Sequence, residues 1–237
     1  MPRWFDSVET LPHDPPFPKE LLERLGLRGI HAGTGRRLEH GWFNTDRNPI
    51  RDRGGREAEV GRLSLVDGDL YFFRHDSTEP YPVANGSFDW AYSEHFIEHL
   101  TLEEGIAWLS EIGRLLRPGG LVRVTTPDLG RYIKAYVDEA DPFYEENRKV
   151  LGALRRFQDR EVPDRRGWMV NNIFYNWQHR WIYDFGELKH ALVSAGFDSG
   201  SVSRRSFSHG AIQEVARLDM PGRAFETIYV EASRPAD

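Results

Sequence analysis

Runs of apolar residues along the chain fall into two spacings that separate strands from helices. Lys19 to Leu25 puts Leu21, Leu22 and Leu25 on one helical face and stops at Gly26; Leu27 to Ala32 then reads as a short strand running into Gly33-Thr34-Gly35. Trp42 to Thr45 is a second strand, ending on Asp46. Arg62 to Val66 and Leu70 to Phe73 flank Asp67-Gly68, the two-residue turn chemistry of a hairpin. Phe88 to Tyr92 is another apolar run. The clearest helix begins at Thr101, which forms a capping box with Glu104; Leu102, Ile106, Leu109, Ile112 and Leu116 follow at helical spacing until Arg117-Pro118-Gly119-Gly120. Leu121 to Thr125 reads as a strand, and Leu129 to Ala140 and Asp141 to Phe157 as helices. Glu187 to Ala195 is a helix closed by Gly196, and Ser201 to Phe207 and Ala224 to Ala232 are two final strands. Residues 158 to 183 fit neither spacing. Strands alternating with helices predict an α/β three-layer domain, whose ligands bind at the carboxyl ends of the strands.

Composition refines this picture. The 237 residues suit one large domain, and 39% hydrophobic with 13% aromatic residues excludes a disordered chain. Residues 1 to 18 hold five of the 14 prolines, which predicts an irregular leader before a single domain over residues 19 to 237. A net charge of −6 argues against general nucleic-acid binding and against attraction to an anionic membrane. There is no cysteine, so disulfides, thiolate nucleophiles and Cys-ligated zinc are excluded. The sequence shows no long apolar run and no signal-like N-terminus, which leads us to expect a cytoplasmic protein.

The candidate chemistry lies at the strand ends: Gly33-Thr34-Gly35, Asp46, His75-Asp76-Ser77, Ser93-Glu94-His95 and Thr126-Pro127-Asp128. Glycines at the first end let a ligand approach the backbone, and a carboxylate at the next can accept both hydroxyls of a ribose. A carboxylate one strand further could accept the amine of adenine. NAD is disfavoured because Leu38 stands where the dinucleotide fingerprint has its third glycine, and no Walker A sequence is present. A nucleoside ligand without phosphate remains, and S-adenosylmethionine (SAM) is the commonest.

GIHAGTG, GWFNTD, HDSTEPYPVANGSFDWAYSEHFIEHL, EIGRLLRPGGLVRVTTPDL and HRWIYDFGELKHALVSAGF, spanning about Leu27 to Phe197, resemble the class I SAM-dependent methyltransferases. Within that class the similarity is to a small bacterial group with a G-W-x-N-x-D second motif. The resemblance implies a Rossmann-like seven-stranded sheet with its last strand antiparallel, and a helical insertion after the fifth strand. It implies that Gly33, Thr34 and Gly35 line the methionine part of SAM and that Asp46 holds the ribose. Asp76 and Ser77 would flank the adenine, and Ser93, Glu94 and His95 would approach the sulfonium. The usual first motif has an acidic residue just before the glycines, where this chain has His31-Ala32. Gly35 and Asp46 lie only 11 positions apart, too few for the long helix that normally follows the first strand.

Within the acceptor-side insertion over residues 128 to 183, Trp168 to Tyr183 interleaves aromatics with polar residues, a mixture poorly suited to a dry core. That segment is the expected substrate wall, with Tyr175, Trp177 and Asp128 as substrate contacts. His179 and His95 are the candidate general bases, and Tyr183 is a positioning group. Asp89 is read as structural, and the pairs Arg155-Arg156, Arg165-Arg166 and Arg204-Arg205 as solvated surface.

The expected function is methyl transfer from SAM, leaving S-adenosylhomocysteine, to an oxygen or nitrogen of a small-molecule acceptor. That acceptor could be a natural-product intermediate, a sugar, a lipid headgroup or a peptide terminus. A homo-oligomer is compatible with this reading. Two alternatives belong to other classes. One is a catalytically degenerate SAM-binding partner or sensor. The other is a zinc hydrolase, because His95-Phe96-Ile97-Glu98-His99 matches the H-x-x-E-H pattern. The methyltransferase context claims those same residues, and the sequence expectation is no metal.

Overall fold

Residues 4–153 and 161–236 are described by the computed structural model. Five parallel strands form the centre of the sheet: β2 (Gly29–Ala32), β3 (Trp42–Asp46), β5 (Leu70–Arg74), β6 (Phe88–Glu94) and β7 (Leu116–Pro127). Every residue of β2 and β3 is buried, as expected of strands covered on both faces. On the far side of β7 lies antiparallel β9 (Thr227–Ser233), followed by β8 (Ser203–Arg205). On the near side, β5 carries β4 (Leu63–Val66) and then β1 (Val8–Thr10), so the full order is β1-β4-β5-β3-β2-β6-β7-β9-β8.

The sheet therefore has nine strands where seven were expected. The expected seven are present with β9 antiparallel, and the two extra strands, β4 and β1, both depend on Asp67. Asp67 and Gly68 both adopt positive φ, +51° and +83°, which closes the β4–β5 hairpin as the sequence predicts. The Asp67 carboxylate then accepts the backbone N–H groups of Asp6 and Ser7, at 2.6 and 3.0 Å, and ties the leader alongside β4. The leader is accordingly less irregular than its prolines imply, with Phe5, Val8 and Phe17 buried.

Helices cover the two faces unequally. α1 (Lys19–Arg24), α2 (Leu102–Leu115) and α6 (Phe185–Ser194) share one large core with the sheet. The Thr101–Glu104 capping box forms at the start of α2, and Asp184 caps α6 through Glu187 N. No helix occurs between β2 and β3 among the described residues, as the short Gly35-to-Asp46 spacing requires. Trp42, Tyr92 and Leu121 cover the opposite face with α7 (Gln213–Ala216). A Cβ at Gly29 would come within 2.3–2.6 Å of Trp90 and Trp42, so this glycine makes room for both indoles.

After β7 come α3 (Leu129–Val137), α4 (Phe143–Ala153) and α5 (Arg166–Asn171), then a π-helical turn over Asn172–Asn176, where the sequence pattern gave no element. They enclose a second apolar core that includes Tyr132, Phe143, Leu151, Met169 and Ile173. The base of the insertion is tied where Leu129 N donates to Tyr183 O at 2.8 Å.

Pairing register aligns the functional strand ends. Ala32 lies opposite both Thr45 and Ser93, Asp46 opposite Arg74, and Glu94 opposite Thr125. Chain order runs outward from β2 through β3 to β5, then resumes at β6 on the other side of β2. The crevice between β2 and β6 is thus the topological switch point, where ligands of open α/β sheets bind.

Candidate active site

At that switch point the glycine turn is held rigidly. Gly33 and Gly35 adopt φ +71° and +57°, conformations that favour glycine. Gly33 N and Thr34 N donate to Thr45 O at 2.9 and 3.2 Å, and Gly35 N donates to Asp46 Oδ2 at 2.8 Å. A Cβ on Gly33 would meet the Phe96 ring at 2.8–2.9 Å, whereas one on Gly35 would meet nothing within 4 Å. The turn thus offers an open backbone edge at Gly35.

A cavity of about 700 Å³ runs from this turn to the insertion. Its inner wall carries Gly33, Thr34, Gly35, Glu94 and His95, and its outer wall Asn147, Ile173, Trp177 and His179. Its volume lies in the range of small-molecule sites. Among the residues expected from sequence, Gly33, Thr34, Gly35, Glu94, His95, Trp177 and His179 are therefore brought together around one space.

Other expected site residues lie elsewhere. Asp46 borders the glycine turn, but its other oxygen accepts Asn48 N and Nδ2, at 2.7 and 3.0 Å, and it does not line the cavity. Asp76 accepts Thr78 N and Oγ1 at 3.0 and 2.8 Å, and these bonds hold its carboxyl below the usual range. Ser77 is buried with its Oγ 2.7 Å from Tyr81 OH, and Ser93 is buried within β6. Tyr183 is wholly enclosed in the core against α2, so it cannot position a substrate from there. Tyr175 is 77% exposed and points away from the site. Asp128 caps α3 through Gly130 N and pairs with Arg204.

The arginine pairs are also more engaged than a solvated surface. Arg205 bonds Glu231 at 2.8 Å, and Arg166 donates to three carbonyls at the end of α3 and beyond it. Arg155-Arg156 lies outside the described residues. Asp89 is structural as expected, holding Arg28 and Arg117.

His31 was not singled out as a site residue, although it stands two positions before Gly33. It lines the cavity, is 3% exposed, and its Nδ1 has no partner. Burial, reinforced by nearby Arg37, pushes its pKa down to about 3, so it is neutral at physiological pH. Glu94 accepts Met220 N at 2.8 Å and lies 3.6 Å from Arg37; burial raises its carboxyl despite these contacts.

The far end of the cavity is rich in imidazole. His95 has φ +48°; its Nε2 lies 2.8 Å from Thr227 Oγ1 and its Nδ1 2.8 Å from Arg223 Nη1. His179 Nδ1 donates to Ile173 O at 2.6 Å, which leaves the Nε2 lone pair available. Burial lowers its pKa despite the opposing pull of Glu98, and the ring is neutral at pH 7. His99 and His179 rings stand 4.9 Å apart. Between them and His95 lies Glu98, fully buried, with Oε2 accepting from Thr126 Oγ1 at 3.1 Å.

The H-x-x-E-H zinc pattern does not assemble as its spacing predicts. His95 follows the last residue of β6 and Ile97–His99 is a single 3₁₀ turn, so the two histidines do not share an α-helical face. His95 turns instead toward Thr227 and Arg223.

A family profile described as a methyltransferase domain matches residues 54–124, which run from before β4 into β7. No curated protein matches the chain. Among solved structures, a possible exported protein of Bordetella parapertussis is 14% identical with TM-score 0.48; the match covers 92% of this chain and 66% of that one. The candidate methyltransferase in the Haloferax volcanii complex with the Trm112 methyltransferase activator is 16% identical with TM-score 0.49, over 92% and 88% of the two chains. A SAM-dependent methyltransferase of Archaeoglobus fulgidus is 16% identical with TM-score 0.46, over 91% and 92%. None of these likenesses is close enough to carry a substrate or partner across. The matched segment is similar to a methyltransferase domain, and it lies in a sheet whose strand order places the glycine turn at the β2–β6 switch point.

Proposed function

We propose that this cavity binds SAM at the glycine-turn end and that methyl transfer occurs to an oxygen or nitrogen of a small molecule seated under the insertion. The observation that carries the proposal is the continuity of one cavity from Gly33–Gly35 to the imidazoles of His95, His99 and His179.

The residues at the first end suit the cofactor. Gly35 leaves backbone open to close approach, and His31, which lines the cavity, has a buried Nδ1 without a partner. Asp46 is one turn of chain away, and it would hold the ribose by giving up part of its grip on Asn48. When bound, SAM supplies an electrophilic methyl group. The protein's task is then mainly to hold the nucleophile in line, and Trp177 and Ile173 supply apolar wall for that purpose. For a hydroxyl acceptor, His179 Nε2 would take the proton, a contribution of about 10² to 10⁴ in rate. Ser77, Ser93, Tyr175 and Tyr183 have no place in this proposal.

Calorimetry with SAM and S-adenosylhomocysteine tests the cofactor half. Both should bind, and Asp46→Ala should weaken each at least about tenfold, because a charge-assisted hydrogen bond is worth about 1.5–3 kcal/mol. Unchanged affinity in that variant would remove Asp46 from the ribose. Binding of NAD in place of SAM would overturn the proposal. Labelled methyl transfer to a panel of hydroxyl and amine acceptors distinguishes an enzyme from a SAM-binding sensor.

A further inference from the structure

We propose that Glu98, His99 and His179 form a site for one divalent transition-metal ion at the acceptor end of the cavity. The three side chains can each direct one ligand atom into a common space, and those atoms all lie within 4.8 Å of one another. One carboxylate and two imidazoles make a donor set that suits Zn²⁺, Fe²⁺ or Co²⁺ better than Mg²⁺, which prefers oxygen. Ligands bound at about 2.1 Å stand about 3–3.5 Å apart, so loading would draw the three together by about an ångström.

The backbone brings these residues together. Arg180 N and Trp181 N both donate to Glu98 O, at 2.7 and 3.2 Å, and this clamps the chain after the π-helical turn onto the Ile97–His99 turn. Arg180 also pairs with Glu104 at the head of α2. His179 is thereby set beside His99 although 80 residues separate them.

The surroundings of each donor are those of a metal ligand. Ligating imidazoles commonly donate their second nitrogen to a backbone carbonyl, which fixes the ring and the tautomer. His179 Nδ1 does this to Ile173 O at 2.6 Å, and His99 Nδ1 lies 3.4 Å from Gln178 O. In both rings Nε2 is the remaining nitrogen. Ligating carboxylates are likewise hydrogen-bonded, and Glu98 Oε2 accepts from Thr126 Oγ1 at 3.1 Å.

An independent observation is the second oxygen of Glu98. The residue is 0% exposed and Oε1 has no hydrogen-bond partner. His95 Nδ1 is 3.3 Å from it, but Arg223 Nη1 is nearer to that nitrogen, at 2.8 Å, and one imidazole nitrogen cannot both accept from Arg223 and donate to Glu98. A buried carboxylate oxygen without a donor is costly, and a cation beside it removes that cost. Three protein ligands would leave positions open toward the cavity. There the ion would lower the pKa of an acceptor hydroxyl, a task that falls to His179 in its absence.

The test uses the full chain, stripped with chelator and titrated with Zn²⁺ by calorimetry and with Co²⁺ by visible absorption. Neither readout involves SAM or turnover, so failure here leaves the methyl-transfer proposal standing. The expected result is one ion per chain, with affinity reduced at least about a hundredfold in His99→Ala and in Glu98→Gln. A control variant at an exposed histidine, His40→Ala, should bind as the parent does. Glu98 is fully buried, so Glu98→Gln is read only if its melting temperature stays near that of the parent; His99→Ala carries the test otherwise. Absence of binding at 100 µM Zn²⁺, or His99→Ala binding as tightly as the parent, would overturn the proposal.

Discussion

His31 gives a stability prediction with a fixed sign and a calculable size. The side chain is 3% exposed, edge-on to Tyr92 and Trp42 with ring centroids 5.3 and 6.4 Å away, and burial holds its pKa down to about 3. In the unfolded chain the same group titrates near its ordinary value of about 6.5. Between those values the unfolded state binds the extra proton, so stability is intact above about 6.5 and falls as the pH drops toward 3. From pH 7 to pH 5 this one group should cost about 2 kcal/mol, a figure that barely changes for any folded value below about 4. His31→Phe keeps a ring among the aromatics and removes the titration. Urea unfolding of the ligand-free protein at both pH values measures the difference. The parent should lose about 2 kcal/mol more than His31→Phe over that interval, whatever the absolute stability of the variant. Parallel losses in the two proteins would show that His31 is protonated in the native state at pH 5, or already titrates low in the unfolded chain, and would refute the reasoning.

Other substitutions test the rest of the framework. Gly33→Ala should be far more damaging than Gly35→Ala, because both positions have positive φ but only the first would drive a Cβ into the Phe96 ring; melting temperature and SAM affinity should both show that order. Arg123→Met should destabilise by about 3–5 kcal/mol in urea unfolding, since it removes the ion pair of buried Asp219, 2.5 Å from the guanidinium, and leaves buried Glu231 with Arg205 as its remaining cation. Trp177→Ala should raise acceptor KM and leave SAM affinity near the parent value, as expected of a side chain on the outer wall alone. His179→Ala should lower kcat by about 10² to 10⁴ with SAM affinity unchanged, and wild-type turnover in a stable variant would remove it from proton transfer.

What the sequence revealed depended on how local its causes are. The α2 boundary was readable because Thr101 and Glu104 satisfy each other's backbone within one turn. The Asp67-Gly68 hairpin was readable for a similar reason, since two positive φ values are a property of those residues themselves. The pairing of β1 with β4 was not, because it depends on an Asp67 carboxylate reaching residues 60 positions earlier. Strand ends marked Gly33, Glu94 and His95 correctly as cavity residues, since register carries all the parallel strands to one edge. Ser77 and Asp76, also at a strand end, do not line that cavity, and their side chains are held by local bonds to Tyr81 and Thr78. Alternation of aromatics and polar residues in Trp168 to Tyr183 marked a mixed environment without saying which side faced in. Trp177 and His179 face the cavity, while Tyr175 faces solvent and Tyr183 the core.

The two ends of the cavity differ in how they are held, and this bears on what each can do. Around Gly33–Gly35 the turn is fixed by bonds to Thr45 and Asp46 in the adjacent central strand, so its shape is set by the sheet itself. The acceptor end is a composite, with His95 and Glu98 near the end of β6 and His179 delivered by the insertion through the bonds of Arg180 and Trp181 to Glu98 O. A change within α3 to α5 can therefore reshape the acceptor wall, with Trp177 and Ile173, without moving a residue of the glycine turn. Replacement of Arg180 should expose this division. Arg180→Ala leaves the backbone N–H in place and removes only the ion pair to Glu104, so it should loosen the register of His179 against His99 while SAM affinity holds. If instead SAM affinity and acceptor turnover fell together in a variant of unchanged melting temperature, the two ends would be one mechanical unit, and the separation of cofactor and acceptor roles argued from the fold would be wrong.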